Sequence, residues 1–117
     1  MNDAVVVLKG HLAELGTALA TIRAGDIEAL LSWLCGRQMV FLAGNAGSHA
    51  NASHLQIHLT QHGIRSICLP DCGPLFSAAA NDYSYEQALV RALGPYSFGD
   101  SVLVLSNSGN SPNILAL

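Results

Sequence analysis

An apolar run that ends abruptly in a small polar turn constrains this chain more than any other feature. Met39-Val40-Phe41-Leu42-Ala43 leads into Gly44-Asn45-Ala46-Gly47-Ser48, and a helix-compatible segment follows. A continuous apolar run of this length suits a strand covered on both faces, as in a parallel sheet. The helix after it leaves the N–H groups of its first turn unpartnered and puts partial positive charge there, so the turn is a natural seat for an anion. The same design recurs later. Ser101-Val102-Leu103-Val104-Leu105 leads into Ser106-Asn107-Ser108-Gly109-Asn110-Ser111, where Ser111-Pro112 reads as an N-cap with proline at the first helical position.

Between these two units the chain alternates. Gly63 stops the helix after the first turn, residues 64–69 read as a strand ended by Pro70, and residues 75–80 as a short helical turn broken at Asn81-Asp82. Ser84-Tyr85-Glu86-Gln87 matches a capping box and opens a helix to Leu93, and residues 94–100 are a loop. Ahead of the first strand (residues 38–43) stand two helices. Asp26 is the expected N-cap of the second, and Gly36 its closing residue. Alternating strands and helices imply a parallel sheet with right-handed crossovers, with both polar turns at its carboxyl edge.

The first helix, residues 4–23, carries Val5, Leu8, Leu12, Leu15, Leu19 and Ile22 at a 3-4-3-4-3 spacing, a seam of the coiled-coil type. It packs either inside its own domain or against another subunit. Gly10 and Gly16 each weaken it by ~1 kcal/mol relative to Ala, so packing must hold it. Composition bears on the same question. Half of the 117 residues are hydrophobic and 11% are charged, against ~25% charged in an ordinary domain. Such a chain buries surface in an oligomer or is part of a larger folded unit. A helix that has barely begun at Leu117 implies that the sequence is incomplete or that a partner supplies the rest.

No apolar run approaches the ~18 residues of a membrane span, and no signal peptide is evident. Net charge is −3 with five scattered Lys and Arg, so no basic patch serves nucleic acid. Cys35, Cys68 and Cys72 lack CxxC spacing and read as free thiols in a reducing, cytoplasmic compartment. Cys35 and Cys68 are expected in the core, Cys72 in a loop.

Hydroxyls, amides and free N–H groups at two strand ends, without Lys or Arg, suit a phosphate monoester. At ~1.5–3 kcal/mol for each hydrogen bond to a charged group, three or four support roughly micromolar to millimolar binding. Neither turn contains the Gly-Lys-Ser/Thr ending of a Walker A loop, and GxGxxG is absent, so no nucleotide cofactor is expected. His54 and His58 share a helix face, with His62 extending the row. They are either two ligands of a zinc ion that needs a third, or a solvated or interface row. His49 lies too near the helix start to enter this reading.

Taken together, GNAGSHANASH, NDYSYEQAL and GDSVLVLSNSGNSPNIL resemble, in order, three motifs of the sugar isomerase (SIS) domain family, within it the phosphoheptose isomerases. The resemblance covers residues 38–117 and extends to the N-terminal helices. It implies an α/β fold, a flavodoxin-like three-layer αβα sandwich with a parallel sheet. Residues 37–117 would be a partial SIS domain, truncated at its C-terminus, and residues 1–36 an oligomerising helical pair. It implies an aldose–ketose isomerase acting on a sugar phosphate of the sedoheptulose 7-phosphate type, commonly a homotetramer. By position, Ser106, Asn107, Ser108 and Ser111 would hold the phosphate. Asn45, Ala46, Gly47 and Ser48 would line the other side, and Asn81 and Asp82 would contact sugar hydroxyls or shape the pocket wall. The base would be His58 or Asp82, and His54 with His58 the metal ligands. The departures are specific. His58 stands where the isomerases carry an acid, Ala46 replaces the commoner Gly, and the Gln and His of the family's final helix are absent. An alternative is therefore a non-catalytic SIS module that binds phosphosugars or assembles a complex. A third reading is a structural oligomer using only the Val5–Ile22 seam.

Overall fold

The computed structural model describes residues 3–95 and 99–117, so Tyr96, Ser97 and Phe98 of the expected loop lie outside the described residues. The chain divides into two compact units, Met1–Trp33 and Leu34–Leu117.

The second unit is built on a parallel sheet in the order β2-β1-β3, from β1 (Val40–Gly44), β2 (Ser66–Cys68) and β3 (Ser101–Leu105). Val40 is level with Ser66 on one side and Ser101 on the other, and Gly44 is level with Leu105. β1 is central and the most apolar, and its Val40, Leu42 and Ala43 are wholly buried. Burying a Val or Leu side chain contributes roughly 1.5–3 kcal/mol.

Side chains alternate across the sheet. Phe41 and Ala43 join a cluster with Leu69, Leu89 and Ile114, which brings α5 (Tyr85–Leu93) and α6 (Pro112–Leu115) onto one face. The helix α3 (Ala46–Gln61) packs against all three strands. At its start a Cβ on Gly44 would stand 2.6 Å from the Ser48 carbonyl carbon, a closeness only glycine permits. The result is the expected helix–sheet–helix layering. The chain leaves β1 for β2 through α3, then returns past β1 to β3. The order therefore reverses between β1 and β3, at whose carboxyl ends open α/β sheets bind ligands.

Local signals account for several boundaries. Gly63, at φ +78°, ends α3 in a Schellman arrangement, with Ile64 N–H donating to Leu59 O and Gly63 N–H to Thr60 O. Ser84 caps α5 by accepting the Gln87 N–H at 3.2 Å. Other expectations shift. β2 is shorter than residues 64–69, because Leu69–Asp71 winds into a 3₁₀ turn with Pro70 near its start. The helix α4 runs Gly73–Asp82, so Asn81-Asp82 is its last turn and not a break. Ser111 sits at the N-cap of α6 but makes no side-chain capping bond.

In the first unit, α1 covers Asp3–Ala20 and leaves Ile22 beyond its end. No α1 residue is buried, and the seam from Val5 to Ile22 is 40–59% exposed. α2 covers Ala24–Cys35 and starts before Asp26. Asp26 is thus not the N-cap: its carboxylate accepts two bonds from the Arg23 guanidinium, at 2.8 and 2.7 Å. At its other end, Gly36 follows α2 without a left-handed backbone. Cys35, expected in the core, is exposed, whereas Cys68 is buried as expected. No single helix is long and apolar enough to cross a membrane among the described residues.

Candidate functional site

The two polar turns meet because β1 and β3 are neighbours in register. What joins them is a pair of amides. Asn45 Nδ2 donates to Asn113 Oδ1 at 2.9 Å, and Asn113 Nδ2 donates back to Asn45 Oδ1 at 2.8 Å. The Tyr85 hydroxyl donates to the same Asn45 oxygen at 3.3 Å. Asn113 is 2% exposed and is the buried polar residue of this region. Neither Asn113 nor Tyr85 stood out in the sequence. The available signal was an asparagine in the first turn of a short apolar helix, where it has no intrahelical reason to be.

Asn45 is the N-cap residue of α3 in extended conformation, and its side chain serves the clasp and not the cap. Ala46, Gly47 and Ser48 form the first helical turn, whose N–H groups have no i−4 partner; that of Ser48 donates instead to Asn45 O at 2.9 Å. Ala46 reaches that turn through φ +47°. In the second turn, Ser106 Oγ accepts from Gly109 N–H at 3.0 Å and Ser108 Oγ from Asn110 N–H at 3.2 Å. Gly109 supplies the positive φ this requires, +66°. A serine hydroxyl used as an acceptor still has its own proton to donate. The hydroxyls of Ser106, Ser108 and Ser111, with the Asn107 amide, thus remain at a largely exposed turn.

The histidines divide into two groups. His54 and His58 approach Nε2 to Nε2 at 3.0 Å, with rings edge to face at 4.8 Å. One nitrogen carries a proton and the other accepts it. His62 Nδ1 donates to the His58 carbonyl oxygen at 2.8 Å. His49, set aside on sequence grounds, is engaged elsewhere. Its Nε2 meets Asp71 Oδ1 at 2.6 Å. The hydroxyl of Ser53 and then His49 hold the Asp71 carboxyl below the usual carboxylate range. Cys68 completes the group, and its Sγ, His49 N and Asp71 O all lie within 4.8 Å of one another. Burial, with the Asp71 charge adding, pushes the Cys68 thiol up to about 11. His49 and Asp71 line a cleft of about 370 Å³ with Ala46, Ala50, Ser53, His54 and Ile57. A pairing across 22 residues, from α3 to the 3₁₀ turn, leaves no periodic trace in the sequence.

Asn81 and Asp82 lie at the exposed end of α4, where Asn81 Nδ2 donates to Asp82 Oδ1 at 3.1 Å. Asp82 lines a second cleft, of about 360 Å³, with Leu75, Ala78, Ala79, Tyr83 and Arg91. There the Arg91 guanidinium lies 4.3 Å from the Tyr83 ring centre. His54 and Asp82 thus line different clefts.

No family model matches the chain. Among curated proteins it is 35% identical over 107 residues to a phosphoheptose isomerase of Aromatoleum aromaticum, covering 84% of this chain and 53% of that protein. It is 38% identical over 133 residues to a phosphoheptose isomerase of Burkholderia pseudomallei, covering 98% and 66%. Among solved structures it is similar to phosphoheptose isomerase GmhA from Neisseria gonorrhoeae, with a TM-score of 0.73 and 27% identity, over 96% of this chain and 65% of that one. The chain therefore spans between half and two thirds of the length of these proteins.

Proposed function

Starting from a chain that belongs to the phosphoheptose-isomerase-like family of SIS-domain proteins, we propose that it binds a sugar phosphate and acts as an aldose–ketose isomerase. One observation carries the binding half of this reading. The amide pair Asn45–Asn113 ties together two polar turns at the adjacent carboxyl ends of β1 and β3. The hydroxyls of Ser106, Ser108 and Ser111 and the Asn107 amide hold the phosphate. Gly47 offers a first-turn N–H group from the facing turn and Ser48, whose N–H donates to Asn45 O at 2.9 Å, offers its hydroxyl, while Ala46 and Asn45 shape its wall. Asn81 and Asp82 contact sugar hydroxyls.

Isomerisation moves a proton between C1 and C2 through an enediol, which needs a base that titrates near neutrality. His58 is the first candidate, as an imidazole whose ring nitrogen can take and return a proton; Asp82 is the second. His54 sits against His58 and polarises the carbonyl or orients the base. The His54–His58 nitrogens, 3.0 Å apart, become two neighbouring ligands of a tetrahedral zinc at ~2.0–2.1 Å once their mutual hydrogen bond opens by a few tenths of an ångström. When bound there, zinc supplies Lewis-acid polarisation of the carbonyl. The same reading makes the protein a cytoplasmic homo-oligomer, tetrameric as in its family, joined through the exposed seam of α1.

The test is turnover of sedoheptulose 7-phosphate by the full-length protein, followed by product analysis. Conversion abolished by His58→Ala supports the reading, and no conversion of heptose or hexose phosphates overturns its catalytic half. A second reading, a non-catalytic phosphosugar-binding module, is favoured by one observation: His58 occupies the family's acidic position and is already bonded to His54. Thermal stabilisation by sugar phosphates without turnover identifies that case, since only a native-state ligand raises stability by mass action.

A further inference from the structure

We propose that His49, Cys68 and Asp71 form a binding site for a divalent transition-metal ion of the zinc type, distinct from the His54–His58 pair. Three ligand atoms of different chemistry converge there from three different elements. His49 comes from the first turns of α3, Cys68 from the end of β2, and Asp71 from the 3₁₀ turn that follows it. All three atoms lie within 4.8 Å of one another.

A tetrahedral zinc holds sulfur at ~2.3 Å, nitrogen at ~2.0–2.1 Å and oxygen at ~2.0–2.2 Å, which sets ligand atoms roughly 3.3–3.7 Å apart. Reaching that geometry requires the 2.6 Å His49–Asp71 contact to open and the widest separation to close by about 1 Å. Side-chain rotation at the partly exposed His49 and Asp71 supplies such shifts, and their side chains are 33% and 40% exposed.

The donor set selects the ion. A thiolate beside an imidazole and a carboxylate suits borderline or soft cations and disfavours magnesium and calcium, which take oxygen. Cys68 is buried, so the ion sits between its sulfur and the cleft lined by His49 and Asp71. That cleft leaves a fourth position for water, the pattern of three protein ligands and one open site. Ser53, bonded to the Asp71 carboxyl, orients the ligand as outer partners of metal sites do. Binding forms the sulfur–metal bond and releases the thiol proton to solvent, with no change of oxidation state.

Cobalt(II) tests this in the chelator-stripped full chain, because a thiolate ligand gives a near-ultraviolet charge-transfer absorption that histidines and carboxylates do not. We expect one equivalent of cobalt to produce that band and zinc to displace it. The band persists in the His54→Ala/His58→Ala double variant and is lost in Cys68→Ser. His49→Ala, at a partly exposed position, weakens binding without touching the buried thiol, and circular dichroism reports whether each variant is folded. Ser53→Ala lowers affinity about 10–100-fold. Three results overturn the proposal: cobalt binding without the band, a band that survives Cys68→Ser, or a band that disappears with His54 and His58.

Discussion

Ala46 is the one non-glycine residue with positive φ among those described. An L-residue in the left-handed region costs roughly 1–2 kcal/mol through the approach of Cβ to the backbone. The chain tolerates this because the turn is held on both sides, by Gly44 packed under Ser48 and by the Asn45 amide. Ala46→Gly relieves the strain but loosens the unfolded chain, which takes back about 0.4–1 kcal/mol. We expect a net gain of about 0.5–1 kcal/mol in urea unfolding, with unchanged slope. A loss of stability would show that the Ala46 methyl makes contacts worth more than the strain. The sequence made Ala46 visible as a departure from the family's commoner glycine, but only the backbone angle shows that the departure is strained. His49 is the opposite case. Its partner lies in another element, so nothing in local spacing singled it out, whereas the i, i+4 rule drew attention to His54 and His58. Cys35 was misread for a related reason: an apolar neighbourhood in sequence does not say which face of a helix is covered.

At the scale of elements, what was legible was whatever chain-local chemistry decides. Strand β3, the cap of α5 and the glycine stop of α3 follow from residues within a few positions of one another, and they appear where the sequence implies them. Strand β2 and helix α4 were less legible. β2 pairs with β1 alone, and Pro70 turns the chain early. α4 continues through Asn81 and Asp82, two poor helix formers, because Ala79 is buried and α4 packs against α5. The paired turns were legible as two similar designs, but their connection was not. It depends on Asn45 and Asn113, 68 residues apart. Asn113→Ala leaves the Asn45 amide with the long Tyr85 bond as its remaining side-chain partner. Removing one partner of a buried hydrogen-bonded pair costs about 1–3 kcal/mol, and we expect that loss in urea unfolding. We also expect weaker stabilisation by sugar phosphates, because the turns are no longer held together. Asn113→Asp restores an acceptor for Asn45 Nδ2 but not the donor to its oxygen, so it recovers only part of the loss. Full stability in Asn113→Ala would show that the two strands alone hold the turns.

At the scale of the whole molecule, the unit Leu34–Leu117 carries a covered sheet, whereas none of the described residues of the unit Met1–Trp33 is buried. Within the helical unit, Val5, Leu8, Leu12, Leu15, Leu19 and Ile22 are all exposed, although their spacing is that of a packed seam. An 18-residue helix carrying two glycines is marginal on its own in water. Its stability therefore has to come from a surface that covers the seam. The apolar excess of the composition pointed to such a surface, but composition has no direction and could not assign it to α1. On the proposed reading a second copy of the chain covers the seam, since a repeat of 3.5 residues is self-complementary in a coiled-coil pair. Covering a leucine contributes roughly 1.5–3 kcal/mol, and replacing it with a charge adds a desolvation penalty. We therefore expect Leu12→Glu together with Leu15→Glu to shift the protein from oligomer to monomer in sedimentation equilibrium. Helix content falls with it, because α1 frays once its partner is lost. We expect the unit built on the sheet to stay folded, since the cluster of Ala43, Leu69, Leu89 and Ile114 is drawn from its own elements. A cooperative urea-unfolding transition retained in the double variant checks that. An unchanged mass in the double variant would assign the seam to a different partner.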